Sequence, residues 1–400
     1  MPEIRKRVTV ISSIIFPGSI TPGSAFPQLS ALESTAGAFP ALDDAHGSSA
    51  RPAGDGIAQP PVLRELEFAA AAVAGHSDRA LPLAVSVGSW LPAPGTGQTL
   101  LRWEVLRALA IGDLTAARVV EAHTDALAIL AEAAADSAVD DVALAQVDAG
   151  QSSTWGVFAA EGPGVRVEAR RDGHRWMLSG IKPWCSLADR LSHALVTAHT
   201  GDGSRRLFAI NLRTPAVRSG DDGWVARGLV DVPSGPIELT NCPAVPVGPD
   251  DWYLRRPGFA WGGIGVAACW LGGAVGLGRT LRAASLTKAP DQVGAMHLGA
   301  VDVALFSADS VLAAAAAAVD AGAAAGQDGV LLALRVRTLV AGAAEETLTR
   351  TGHALGPAPL ARDERHARRV ADLQLYLRQH HAERDQAALG RAALDLLDWP

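Results

Sequence analysis

The sequence predicts an α+β fold in which a helical N-terminal subdomain precedes a small middle β-barrel or β-sandwich, and a helical bundle ends the chain. Apolar residues recur at helical spacing before residue 150, short strand-like runs fill the middle, and long Ala-rich helical segments follow. These three observations divide the chain into segments 62–150, 151–250 and 251–400, which follow a leader of residues 1–61.

The leader has no pattern that predicts regular structure. Residues 17–61 are rich in Pro, Gly, Ser and Ala, so we expect residues 1–61 to be poorly ordered. The first residues faintly resemble a secretory signal, but Ser12 and Ser13 interrupt the apolar stretch and no clear cleavage site follows. The three cysteines are too few for a disulfide framework, which indicates a reducing compartment. We therefore expect a cytoplasmic protein.

Helical spacing is clearest in residues 62–75, 99–111 and 114–135, and Asp113 is placed to cap the third stretch. The character changes after residue 150, where four short apolar runs alternate with turn signals such as Asp172-Gly173. These runs are residues 176–178, 194–196, 207–210 and 237–239. The first segment is therefore predicted to be helical and the middle one to be β.

The last segment is predicted to hold four helices. They cover residues 259–286, 296–325, 328–352 and 364–397. The first contains twenty uncharged residues, 259–278, which is long enough to span a membrane. Seven of these residues are glycines, few are large aliphatics, and no other part of the chain repeats the pattern. A closely packed central helix of a soluble domain is therefore favoured, and no membrane partner is expected.

Charge gives little sign of a macromolecular partner. The formal net charge is −7, and the arginines are scattered rather than gathered in a stripe. A nucleic-acid-binding protein normally carries a concentrated basic surface. We expect a small-molecule substrate and no nucleic acid.

Residues 173–186 read GHRWMLSGIKPWCS and resemble the acyl-CoA dehydrogenase signature, in which a strand of the pattern G.Y.LNG.K.WIT meets the flavin. The resemblance implies that Trp184 packs on the isoalloxazine ring and that the hydroxyl of Ser186 contacts flavin N5. A bound flavin requires such apolar stacking together with a hydrogen-bond donor near its reactive atom.

Residues 155–163 look like the family's ALTEP segment, a second strand that lines the flavin. Ala160 stands where that segment usually has Thr, which removes one expected hydrogen bond. The resemblance still implies that backbone groups of Val157, Ala159 and Ala160 reach the flavin ring. The cofactor that it implies is FAD.

The family's catalytic base is a Glu shortly after an Arg-Asp pair, which Arg362-Asp363 resembles. Asp372 is the nearest acid in comparable register, so it is the candidate base; the alternative is a solvated structural acid. The basic segment that reaches the flavin diphosphate in the family has no counterpart in residues 286–296. Arg378 and Gln379 are therefore candidates for that contact.

Residues 380–385 bring histidines and acids one helical turn apart, His380 with Glu383 and His381 with Asp385. A metal site in a helical bundle needs matching ligands from other helices, and the other helical segments offer no Glu-x-x-His partner. No metal site is predicted.

The resemblance implies an FAD-dependent oxidoreductase that removes the α proton of an acyl-CoA thioester and passes the β hydride to flavin N5. Two alternatives remain open. A flavin monooxygenase on the same fold needs no base, which the missing Glu favours. A non-catalytic member would keep the fold as a binding or assembly partner. The resemblance also implies a homodimer or homotetramer.

Overall fold

The structure is a computed structural model and describes residues 61–201, 203–220 and 223–394. The predicted leader lies outside the described residues, except for Pro61, with which the first helix begins. The helices before the sheet are α1 Pro61–Ala72, α2 Ser77–Gly88, α3 Thr99–Gly112, α4 Leu114–Ala135 and α5 Asp141–Leu144. Asp113 caps α4 as predicted, because its carboxylate accepts the Ala116 N–H at 2.9 Å.

Seven described strands form one sheet. They are β1 Trp155–Phe158, β2 Val167–Asp172, β3 Arg175–Lys182, β4 His193–His199, β5 Arg205–Asn211, β6 Val217–Ser219 and β7 Ile237–Val247. The order is β1-β4-β2-β3-β7-β5, β6 joins β7, and β4 also pairs with β5. The pairings thus return to β4, although β2 and β4 meet only at Glu168 and His199. The predicted barrel is confirmed in part.

The described C-terminal helices follow the sheet. They are α6 Trp252–Arg255, α7 Pro257–Thr287, α8 Gln292–Asp320, α9 Gly326–Leu355, α10 Pro357–Arg362, α11 Glu364–Tyr376 and α12 Glu383–Leu394. This order of helices, strands and helices confirms the predicted fold class. The described residues belong to one compact unit, so the division at residues 150 and 250 stays a prediction.

The predicted helix 364–397 is interrupted. Helix α11 ends at Tyr376, a 3-10 turn covers Leu377–Gln379, and α12 begins at Glu383. Leu377 in this turn and His380 directly after it are both buried. This interruption brings His380 to the central helix.

Helix α7 is the central helix that its glycines predict. A Cβ on Gly272 would lie 2.3 Å from the Arg107 carbonyl oxygen, and one on Gly262 would lie 2.7 Å from the Asp125 carboxylate. Helices α3 and α4 therefore approach the α7 backbone closely. Of the described helices, α7 and α8 are long and apolar enough to span a membrane; the most apolar window is 67% buried in α7 and 28% in α8.

Candidate active site

The structure brings together the two segments that the sequence assigns to the flavin. We call residues 159–163, after β1, and residues 182–186, at the end of β3, the paired strand ends. The buried Lys182 Nζ donates to Glu161 Oε1 at 2.8 Å, which joins one segment to the other. A Cβ on Gly162 would lie 3.1 Å from Pro183 Cγ. Ala159 and Ala160 therefore share one edge of the sheet with Trp184 and Ser186.

Trp184 presents its indole to the outside of this edge. Its φ is +60°, in the left-handed region that bulky residues rarely adopt, and its side chain is 62% exposed. The following backbone is fixed, because the Cys185 and Leu187 N–H groups donate to the Gly235 and Pro233 carbonyls, both at 2.8 Å. The backbone that carries Trp184 is thus fixed on its C-terminal side, and the indole is open to solvent.

The other predicted flavin contacts lie on β1 and on the paired strand ends. Ser186 is half-buried, and its Oγ lies 2.8 Å from the Ser234 Oγ, so the hydroxyl is held by a neighbour that can donate or accept. Val157 and Ala159 are half-buried and Ala160 is exposed. A cavity of about 20 Å³ lies between Ala159 and the helix α6. Besides the exposed Trp184 indole, the predicted site therefore offers backbone groups and the Ser186 hydroxyl for hydrogen bonds.

Asp372 lies on α11 and contacts the loop at Leu229. Its side chain is 1% exposed, and one carboxylate oxygen accepts the Leu229 N–H at 2.5 Å. Burial raises its pKa to about 7. The loop that Asp372 holds continues to Pro233 and Gly235, which fix the Trp184 turn. The carboxylate therefore supports the loop, and its role as a base stays a prediction.

Arg378 and Gln379 lie on the 3-10 turn after α11. Arg378 is exposed and forms an ion pair with Glu345 at 2.5 Å, and the Gln379 carbonyl accepts a hydrogen bond from Arg337 at 2.9 Å. Within the described part of the chain, neither forms a hydrogen bond or ion pair with the paired strand ends. Their contact with a flavin diphosphate stays a prediction.

Sequence reasoning missed a group that we call the Arg337 stack, formed by Trp270, Arg337 and His380. The Arg337 guanidinium lies 4.8 Å from the centre of the Trp270 ring. The His380 ring meets the same indole edge-on at 6.2 Å, and its Nε2 lies 3.3 Å from the Thr338 hydroxyl. Burial lowers the pKa of His380, which favours the neutral imidazole. The histidine-rich stretch 380–385 was the sequence signal, but it does not identify the partner helices.

An interior polar cluster lies next to this stack, formed by Arg118, Glu121, Cys269 and Tyr376. Glu121 accepts hydrogen bonds from Arg118 at 2.8 Å and from the Tyr376 hydroxyl at 3.2 Å. Burial raises the pKa of Glu121 and of the Tyr376 hydroxyl. Burial also lowers the pKa of Arg337, whereas the negative charges of Asp385 and Glu121 oppose that shift. Perturbed titratable groups are therefore concentrated between α4, α7, α9 and α11.

No protein-family model and no curated protein matches the chain. Solved structures do match it. KijD3, in complex with FMN and dTDP-3-amino-2,3,6-trideoxy-4-keto-3-methyl-D-glucose, is 19% identical, with a TM-score of 0.69 over 86% of this chain and 96% of that one. FMN-bound TdsC from Paenibacillus sp. A11-2 is 16% identical, with a TM-score of 0.68 over 85% and 97%.

Methanesulfinate monooxygenase MsuC from Pseudomonas fluorescens is 18% identical, with a TM-score of 0.65 over 86% of this chain and 98% of that one. These structures share their fold with this chain, and it is the acyl-CoA dehydrogenase-like fold that the sequence predicts. At such identities, the similarity establishes the fold alone.

Proposed function

We propose that the protein is a flavin-dependent monooxygenase that acts on a small molecule. The observation that carries this proposal is Trp184, whose exposed indole is fixed in a left-handed turn beside the hydroxyl of Ser186. A bulky residue held in the left-handed region is strained, and such residues cluster at ligand-binding sites. A flavin fits the arrangement, because it is planar, apolar on its faces and polar along its edge.

Each residue around Trp184 has a part in this proposal. The ion pair of Lys182 with Glu161 keeps the paired strand ends at a fixed separation. Ser186 donates a hydrogen bond to the ring edge, and backbone groups of Val157, Ala159 and Ala160 contact it. When bound and reduced, the flavin supplies the electrons that activate oxygen.

The environment of Asp372 supports a monooxygenase over a thioester dehydrogenase. Proton abstraction next to a thioester needs a carboxylate that reaches the substrate carbon. Asp372 is instead 1% exposed and bound to the Leu229 N–H. Two of the proteins that share the fold, MsuC and TdsC, are a methanesulfinate monooxygenase and a dibenzothiophene monooxygenase.

We further propose FMN as the flavin, where the sequence alone suggested FAD. FMN is the flavin bound in the KijD3 and TdsC complexes. The diphosphate contact expected of Arg378 also has competition, since its guanidinium pairs with Glu345. The cytoplasmic location stays a prediction from the cysteine content.

The test is to purify the protein, add FMN or FAD, and measure binding by flavin absorbance and fluorescence quenching. FMN-loaded protein is then supplied with a flavin reductase, NADH and a small-molecule library, and oxygen uptake and products gaining one oxygen atom are measured. Tighter binding of FMN with such products supports the proposal. If the protein binds neither flavin, the result contradicts the monooxygenase proposal and favours the non-catalytic alternative.

A further inference from the structure

We infer that Arg337 binds a carboxylate, so that the substrate is an organic acid. The inference rests on the proposed function in one respect, because it takes the Arg337 stack as the place where the substrate lies. The geometry that carries it is a half-buried guanidinium that is held on three sides and has no acidic partner among the described residues.

The guanidinium is fixed in orientation. The Trp270 ring lies 4.8 Å from its central carbon, and its two terminal nitrogens donate to the Gly263 carbonyl at 2.7 Å and the Gln379 carbonyl at 2.9 Å. Arginine offers five N–H donors in a planar fork, so these two contacts leave donors unused. A fixed planar fork matches the two oxygens of a carboxylate.

Its charge is not paired within the described residues. Glu121 is already bound by Arg118 and the Tyr376 hydroxyl. Asp385 lies 3.3 Å from His381 and 3.7 Å from His380. Both acids attract Arg337 from a distance, but neither forms an ion pair with it. A half-buried charge without an acidic partner loses part of its hydration, which favours an incoming anion.

Two further features favour a ligand at this place. Trp270 is fully buried, and its indole N–H has no hydrogen-bond partner among the residues that the structure describes, so the stack contains an unsatisfied donor. The α7 residue facing Arg337 is Gly263, which is half-buried and carries no side chain over the guanidinium. A Cβ there would lie 3.5 Å from both Cδ and Nη1 of Arg337.

Arg337 also ties α9 to α7 and to the turn before α12, so a purely structural role must be distinguished. Such a role depends on the two carbonyl contacts and is indifferent to the charge of any small molecule. Anion recognition instead requires that an acid bind more tightly than the neutral amide of the same shape.

The test uses acetate with acetamide and benzoate with benzamide as matched probes. Their dissociation constants are measured by calorimetry, with and without FMN, for the wild type, Arg337→Gln, Arg337→Lys and the control Arg350→Gln. Arg350 lies on the same helix and pairs with Glu346. We expect the wild type and the control to prefer at least one acid by about tenfold to a hundredfold. Arg337→Gln should lose this preference, and Arg337→Lys should retain part of it.

Equal binding of acid and amide by the wild type overturns the inference, as does an unchanged preference in folded Arg337→Gln. If Arg337→Gln does not fold, the inference is tested by the ratio of acid affinity to amide affinity in the wild type and in Arg337→Lys. If the protein binds FMN but does not prefer acids, the monooxygenase proposal stands and the carboxylate inference is wrong. If the protein prefers acids but binds no flavin, the proposed function is wrong and the anion site stands.

Discussion

Trp184 is the residue on which flavin binding depends most directly. Replacing it by Ala removes the open ring, and aromatic contacts of this kind contribute about 0.5–1.5 kcal/mol beyond area burial. We therefore expect the dissociation constant of FMN to rise by about three- to tenfold in Trp184→Ala. Fluorescence titration measures it. Phe68→Ala, which removes another exposed aromatic ring, is the control, and equal FMN affinity in all three proteins would argue against the site.

Asp372 makes the stability of the fold depend on pH. Burial raises its pKa from 3.8 to about 7, so the folded protein binds a proton that the unfolded chain releases. Stability that this group contributes is full below pH 3.8 and is lost as pH rises towards 7. Asp372→Asn should therefore gain stability relative to wild type between about pH 4 and pH 7, as measured by urea unfolding. Parallel pH profiles of the two proteins would contradict this assignment.

At the scale of the element, the close approach of α3 to α7 depends on Gly272. A methyl group there would meet the Arg107 carbonyl at 2.3 Å, so Gly272→Ala should lower the free energy of unfolding by about 1–3 kcal/mol. The control is Gly342→Ala on α9, where nothing lies within 4 Å and the helix should gain about 0.5–1 kcal/mol. Denaturant unfolding measures the free energy of unfolding of both variants. An unchanged value in Gly272→Ala would show that the helices separate easily.

The elements also show what the sequence determines locally. The Asp113 cap, the glycine-rich central helix and the meeting of residues 159–163 with 182–186 follow from local patterns and from one family resemblance. The interruption of the last helix does not, because residues 377–382 contain no Gly or Pro. Burial of Leu377 and His380 against the bundle overrides the helical pattern there.

The sequence does not predict the Arg337 stack for a similar reason. Its members lie on α7, on α9 and in the turn before α12, so only tertiary packing brings them together. In the sequence, the arginine is one of several on a polar helix face and the tryptophan is one of several apolar residues. Similarly, the register of Asp372 after an Arg-Asp pair suggested a base, whereas its backbone partner Leu229 comes from a distant loop.

At the scale of the molecule, α8 presents an apolar face that no described element covers. It is formed by Val293, Met296, Val303 and Phe306, which are between 48% and 72% exposed and recur at helical spacing. We propose that this face joins subunits of the expected homodimer or homotetramer. Phe306→Asp should therefore reduce the mass measured by light scattering to that of a smaller species. A monomeric wild type would contradict the proposal.

The monooxygenase assignment is tested most directly by the absorption spectrum of the FMN-loaded protein without oxygen, before and after a panel of acyl-CoA thioesters is added. A monooxygenase without a carboxylate base should leave the flavin band unchanged with every thioester. The same protein, once reduced chemically, should regain the band when oxygen is admitted. Bleaching of the band by any thioester, with no other reductant present, would contradict the assignment and restore the dehydrogenase that the sequence first suggested.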